Sequence, residues 1–242
     1  MINSFPDYQA IIIANGTVID RKDVLKLDNI FIIATDGSYK HCKRLKIVPN
    51  IIIGDMDSIT DQDYDAVDYH YIDNQDNTDL EKAILYCKTH NFNQILVLGV
   101  FGGEVDHSLN NVMIMAKYAK QNMQFTILDQ YQDDKLKLGI ILSRSSIKFN
   151  CSKNSLVSIL PLPIATVSTV GLEWELNKTL LTFDSFTSAR NIAIQTDVEV
   201  ICSRGQSIVI IDYKLSLQSK SSLFLLFRYL IQHLLLIEED RY

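Results

Sequence analysis

The feature that most restricts how this chain can fold is a set of four short runs rich in β-branched residues, at positions 9–14, 30–34, 50–53 and 94–98. After a polar first residue in three of them, the runs are apolar without alternation, and each stops at a polar or glycine-containing turn. A strand that is apolar on both faces needs cover on both, which is the condition of a parallel sheet flanked by helices. The segments 39–45, 79–89 and 108–120 read as such helices. Strand and helix in alternation predict an α/β domain over residues 1–132 with a mostly parallel sheet.

From about Asp133 the texture changes to short strand-like stretches separated by turn signals, such as SIKF, SLVSILP and EVICSRGQSIVII. Helical periodicity is absent there, so a smaller all-β, sandwich-like domain is expected over residues 133–214. The tail, 215–242, holds an apolar stretch at 223–237 that is shorter than the roughly 20 residues needed to cross a bilayer. Arg228, Gln232 and His233 interrupt it and fall on one side of a helix, leaving an apolar face. A C-terminal helix that packs on the fold or pairs two chains is the expectation, with no membrane partner.

Charge and cysteine usage narrow the function classes. The 23 basic and 29 acidic residues give a net charge of −6, which argues against a nucleic-acid partner, because phosphate backbones attract clustered Lys and Arg. Cys42, Cys87, Cys151 and Cys202 lie far apart with no Cys-x-x-Cys pair, so they read as buried, reduced thiols rather than a zinc site. The N-terminus lacks the basic start and apolar run of a signal peptide, and a cytoplasmic location is expected.

In open α/β sheets ligands bind at the carboxyl ends of the strands, and here the residues that follow the apolar runs are strongly acidic. They are Asp36-Gly37-Ser38, Gly54-Asp55-Met56-Asp57-Ser58, and Gly102-Gly103-Glu104-Val105-Asp106-His107. A fourth group, Gln75-Asp76-Asn77-Thr78-Asp79, opens a helix that carries Lys82 one turn later. Asp55 and Asp57 share a face if the segment is extended, and such a pair suits magnesium, which takes oxygen ligands from one or two carboxylates plus phosphates.

Taken alone, an Asp-x-Asp pair more simply caps or solvates a loop. Four acidic turns converging on one sheet edge would repel one another, and a shared cation relieves that repulsion. Asp79 also stabilises its own helix by facing the positive end of the dipole, while Lys82 one turn on can reach the same site and neutralise phosphate oxygens. Gly37, Gly102 and Gly103 permit close backbone approach to phosphate, although no Walker glycine loop is present. His107 reads as a structural residue at a helix start, and Asp106 is the better candidate for a catalytic carboxylate.

In order and spacing, the motifs GDMDS at 54–58, NQDNTDLEKA at 74–83 and GGEVDH at 102–107 together resemble the thiamine pyrophosphokinase family. Asp36-Gly37-Ser38 and Pro49 add to the match, and Gly171-Leu172-Glu173-Trp174-Glu175-Leu176 looks like the family segment whose aromatic residue stacks on thiamine. An aromatic face under a cationic thiazolium gains cation–π attraction; without the N-terminal motifs, Trp174 would read as a core anchor. Ser188-Ala189-Arg190-Asn191 matches an element that ends in Ser-Asn, with Arg190 in place of the usual serine, and Glu104 stands where a basic residue is common.

The resemblance covers roughly residues 10–211 and implies transfer of pyrophosphate from ATP, as co-substrate, to the thiamine hydroxyl. It implies that Asp55, Asp57 and Asp79 hold magnesium, with Asp106 orienting the hydroxyl or accepting its proton. Asp36, Gly37, Ser38, Gln75, Thr78, Lys82 and Gly102 would bind ATP, and Trp174, Ser188 and Asn191 would bind thiamine. It further implies a homodimer whose active sites lie between subunits. Two other readings stay open: a metal-dependent nucleotide-sugar transferase using the Asp-x-Asp pair, and a thiamine-binding regulatory protein without transfer activity.

Overall fold

The computed structural model describes residues 7–19, 30–55, 67–72, 76–132 and 135–214. They form a mixed α/β fold with many strands and few helices, in two compact units. One unit comprises Tyr8–Asp133, and the other comprises Asp134–Tyr242 together with Met1–Asp7. No helix among the described residues is long and apolar enough to cross a membrane. The expected C-terminal helix at 215–242 lies outside the described residues.

The Tyr8–Asp133 unit contains β1 (Ala10–Ile13), β2 (Phe31–Thr35), β3 (Ile51–Gly54), β4 (Asp68–Tyr71), β5 (Gln94–Leu98) and β6 (Gln124–Gln132). They pair in the order β6-β5-β1-β2-β3-β4, and every pairing is parallel. Ile11, Ile12 and Ile13 of β1 are all buried, so successive side chains on opposite faces both meet core. Each such isoleucine contributes about 1.5–3 kcal/mol of burial free energy, and this two-sided cover is why the apolar runs become parallel strands. β4 was not foreseen, because DYHY is polar; among the described strands it pairs with β3 alone, at the end of the parallel order.

α1 (Tyr39–Leu45) ends at Lys46, which takes a left-handed conformation with φ 54°. α2 (Asp79–Thr89) starts at Thr78, whose hydroxyl accepts the Glu81 N–H at 3.3 Å, an N-terminal cap that satisfies one of the orphan donors of the first turn. The Glu81 carboxylate accepts from Lys117 Nζ at 2.7 Å and from the Tyr118 hydroxyl at 2.9 Å, tying α2 to α3. α3 (Val105–Ala119) starts three residues earlier than expected. Glu104 precedes it in extended conformation, so Asp106 and His107 form its first turn, where a carboxylate is favoured by the dipole.

The second unit is all-β in its described part: β7 (Lys135–Ser143), β8 (Ser146–Asn150), β9 (Leu156–Val170), β10 (Thr179–Thr182), β11 (Ser188–Ile192) and β12 (Asp197–Lys214). β12 pairs with β9 along nearly its whole length, interrupted by register shifts between Cys202 and Arg204 and between Gly205 and Ser207. Before those shifts β12 pairs with β8, after them with β7, and β9 correspondingly pairs with β10 and β11. Bulges bend strands, so two long strands run through both halves of the unit. Within each half the burial of β9 alternates, with Val157 and Ile159 buried in one and Ala165 and Val167 in the other. Cys42, Cys87 and Cys202 are buried free thiols, whereas Cys151 is only half-buried; burial pushes the Cys42 and Cys87 thiols up to about 12.

Candidate active site

The strand order places β2, β3 and β4 on one side of β1 and β5 and β6 on the other, so the order of the strands reverses between β1 and β5. Connections leaving those two strands diverge and leave a crevice at their carboxyl ends, the usual ligand position in such sheets. A cleft of about 810 Å³ lies there. Ala14, Asn15 and Gly16 after β1 and Gly99, Val100, Gly102 and Gly103 after β5 form its floor. Thr35, Asp36 and Gly37 after β2, Asp55 after β3, and residues 76–80 with Lys82 at the start of α2 line it further. Glu104, His107, Ser108 and Asn111 of the α3 start complete it.

Among these described residues five are acidic, Asp36, Asp55, Asp76, Asp79 and Glu104, against a single lysine. Lys82 is only 3% exposed, and its Nζ lies 2.9 Å from Asp79 Oδ1, an ion pair one helical turn long. The pair fixes the ammonium at the cleft wall rather than letting the flexible stem carry it into solvent. Gly99 is required by two things at once: its φ is +72°, and a Cβ would stand 2.4 Å from the Ala14 carbonyl oxygen. Only a residue without a side chain lets β1 and the loop after β5 approach so closely.

The expected nucleotide-side residues Asp36, Gly37, Asp55, Thr78, Asp79, Lys82 and Gly102 therefore share one cleft. Two of the expected residues do not line this cleft. Ser38 is fully buried, and its hydroxyl lies 2.6 Å from the Ile13 carbonyl oxygen and 2.7 Å from that of Thr35, so it locks β1 to β2 instead of facing the cleft. Asp106 is exposed and absent from the lining, with Oδ1 accepting the His107 N–H at 2.8 Å; the early start of α3 turns it away while His107 lines the cleft. Asp57 and Gln75 lie outside the described residues. Among the described residues no three His, Cys, Asp or Glu side chains form a ready-made metal cluster.

A residue that sequence reasoning missed sits behind the glycine loop. Asp129, near the end of β6, is 2% exposed; its Oδ1 accepts the Gly99 N–H at 2.6 Å and its Oδ2 the Phe101 N–H at 2.7 Å. Burial raises its carboxyl to about 7 even though backbone N–H groups of residues 99–101 pull it the other way. The only sequence signal was a lone acid in an apolar strand, FTILDQY.

In the second unit Trp174 is 57% exposed, which rules out the core-anchor reading and leaves its ring available to a ligand. Ser188 and Asn191 are brought to it, but as buried groups. Asn191 Nδ2 donates to the Trp174 carbonyl at 2.8 Å and to Ser188 Oγ at 3.2 Å, while its Oδ1 accepts the Trp174 N–H at 3.2 Å. Glu175 supports the same loop, accepting the Gly171 N–H at 2.6 Å, the Leu172 N–H at 3.0 Å and the Thr169 hydroxyl at 2.6 Å. Asn191 thus acts on the tryptophan's backbone, holding it where the ring faces outward.

Comparison with known proteins assigns each region separately. A family model described as "Thiamin pyrophosphokinase, catalytic domain" matches residues 24–127, and one described as "Thiamin pyrophosphokinase, vitamin B1 binding domain" matches residues 144–206. Thiamin pyrophosphokinase 1 of Caenorhabditis elegans is 28% identical over 172 residues, 66% of this chain and 70% of that one. Thiamine pyrophosphokinase 1 of Arabidopsis thaliana is 30% identical over 175 residues, 65% of this chain and 63% of that one. Among solved structures, thiamine pyrophosphokinase from Bacillus subtilis superposes with a TM-score of 0.72 at 22% identity, covering 85% of this chain and all of the other, a likeness of fold. Apart from Ala14, Asn15 and Gly16, the lining of the acidic cleft falls within the first match, and the tryptophan loop falls within the second; in that order along one sequence they mark the chain as a member of the thiamin pyrophosphokinase family.

Proposed function

We infer that this protein is an ATP-dependent thiamine pyrophosphokinase, moving the pyrophosphoryl group of ATP onto the hydroxyl of thiamine and releasing AMP. The observation that carries this reading is the cleft at the β1–β5 crevice, where Asp55, Asp79, Lys82 and the loop 99–103 meet within the region matched to the catalytic domain. In this reading residues 1–132 bind ATP, and the sandwich-like 133–214 region binds thiamine.

Transfer of this kind depends on positioning and charge stabilisation more than on a covalent nucleophile. Lys82, held by Asp79, faces phosphate oxygens as a fixed positive charge, and the glycines lining the cleft allow the backbone close to the phosphates. The donors offered by Asp55 and Asp79, with Asp57 as a third, are hard carboxylate oxygens, the set that magnesium takes. When bound, that ion supplies neutralisation of phosphate charge. Asp106, outside the cleft, has no part in the transfer in this reading.

The exposed Trp174 ring supplies a face for the thiazolium cation, and Ser188 and Asn191 hold its loop rather than touching the vitamin. The exposed apolar side chains Leu180, Phe183 and Phe186 fit a surface covered by a second copy in a homodimer. The cytoplasm remains the expected location.

The test is incubation of the purified chain with ATP, magnesium and thiamine, followed by chromatography for thiamine diphosphate and AMP in equal amounts. Release of a nucleoside diphosphate with sugar donors instead, or thiamine binding without AMP, refutes the reading. Asp55→Asn should remove most turnover while leaving thermal unfolding unchanged.

A further inference from the structure

We propose that Asp129 is a positioning residue for the transfer: its buried carboxylate pins the loop 99–103 so that Gly102 and Gly103 are presented to the ATP phosphates. The proposal rests on the reading that ATP occupies the cleft. Asp129 does not line the cleft itself; it stands behind the loop, near the end of β6.

Two observations set this carboxylate apart from an ordinary core residue. Its hydrogen-bond partners are the backbone N–H groups of Gly99 and Phe101, with no cation among them, so the carboxylate is buried against peptide dipoles alone. Such a charge is costly to bury, and a neutral residue would avoid the cost. Only a carboxylate, however, offers two acceptor oxygens to two converging donors; an asparagine would turn one of its atoms into a donor facing the Gly99 or Phe101 N–H.

The opposite side of the same loop is held just as completely. The Gly16 N–H donates to the Gly99 carbonyl at 2.9 Å and the Thr17 N–H to that of Phe101 at 2.7 Å. Asn111 Nδ2 donates to the Val100 carbonyl at 3.2 Å, and the Thr17 hydroxyl to that of Gly102 at 3.2 Å. Donors hold the loop's carbonyls, and Asp129 alone among the described side chains accepts from its N–H groups. The pinned Gly99 borders the cleft itself, and Gly102 and Gly103, which follow Phe101 directly, line it as well. A loop fixed before ATP arrives needs no ordering on binding, and loss of that order weakens ATP binding selectively.

The experiment compares Asp129→Asn and Asp129→Ser with the unsubstituted chain, using whichever variant folds by thermal unfolding. Steady-state KM for ATP and for thiamine, kcat, and amide hydrogen exchange at Gly99 and Phe101 are measured. Expected are an ATP KM raised about tenfold or more, since an unmade bond to a buried partner weakens binding by that order, with thiamine KM and kcat within about threefold. Exchange at Gly99 and Phe101 should quicken while the β1 amides keep their protection. An ATP KM within about twofold of the unsubstituted value overturns the proposal, as does a parallel loss in all three kinetic constants, which marks a purely structural residue. If the unsubstituted chain makes no thiamine diphosphate, the functional reading fails on its own, and calorimetric titration with ATP decides the pin: weaker binding by the variant supports it, and equal binding or none overturns it.

Discussion

Replacing Gly54 by alanine probes how tightly the acidic turns are fitted together. The added Cβ would stand 2.7 Å from Asp36 Cβ, 3.1 Å from its Cγ and 3.3 Å from its Oδ2. Carbon atoms rest at about 3.5–4.0 Å, so the two backbones or the Asp36 side chain must separate by roughly 1 Å. Asp36 is buried and the clash begins at its Cβ, so rotation of the carboxylate alone does not relieve it. Overpacking of this kind costs about 1–3 kcal/mol. For a chain of this size that lowers Tm by about 2–12 °C. The strain falls on Asp36 and on Asp55, the next residue, both of which line the cleft, and a displacement near 1 Å costs up to about 10²-fold in turnover. Gly103→Ala is the control for stability, because the nearest atom to its added Cβ is Gly16 Cα at 3.9 Å. Differential scanning calorimetry and the thiamine diphosphate assay read the two effects. A Gly54→Ala chain with Tm within about 1 °C of the parent and full turnover would refute the close-fit argument.

Lys82→Met should lower kcat/KM for ATP by about 10²–10³-fold by removing the fixed positive charge at the cleft wall, and unchanged kinetics would exclude a phosphate-facing role. Asn191→Ala leaves the Trp174 N–H and carbonyl without their partner, which should raise the thiamine KM about tenfold and leave the ATP KM unchanged; equal changes in both constants would point to general unfolding. Because burial raises the Asp129 carboxyl to about 7, the folded chain holds this proton more tightly than the unfolded one. Its contribution to stability is therefore full below about pH 4 and is lost as pH rises through about 7. Denaturant unfolding across that window should show the decline in the parent chain and not in Asp129→Asn, and identical slopes would count against the burial argument.

Much of the first unit was legible because its determinants are local. The helix 79–89 is announced by an acid in its first turn, and its bounds and those of 39–45 coincide with the observed helices. The convergence of Asp36 and Asp55 followed from strand ends, since parallel strands present their carboxyl ends on one edge, and Asp79 joins them from the start of a neighbouring helix. What was hidden depends on partners distant in sequence. Ser38 carries the same hydroxyl whether it faces a phosphate or two carbonyls, and only the distance between β1 and β2 decides. Asp129 is in sequence only a lone acid in an apolar strand, and its partners Gly99 and Phe101 are remote in the chain. In the second unit Pro161 reads as a strand stop, yet β9 runs from Leu156 to Val170 because its neighbour β12 is bulged at the level of that proline.

The length of β12 has a consequence for how the protein is made. It is the last described strand, and β7, β8 and β9 all pair with it. On the ribosome those three strands emerge with open backbone edges before their common partner has been synthesised, so the nascent second unit must wait while exposing surfaces that invite intermolecular pairing. The α/β unit, whose parallel pairings all lie within Tyr8–Asp133, can close first. Premature termination shortly before residue 197 would then leave a folded α/β half tethered to a sticky remnant, the kind of product that chaperones and proteases clear.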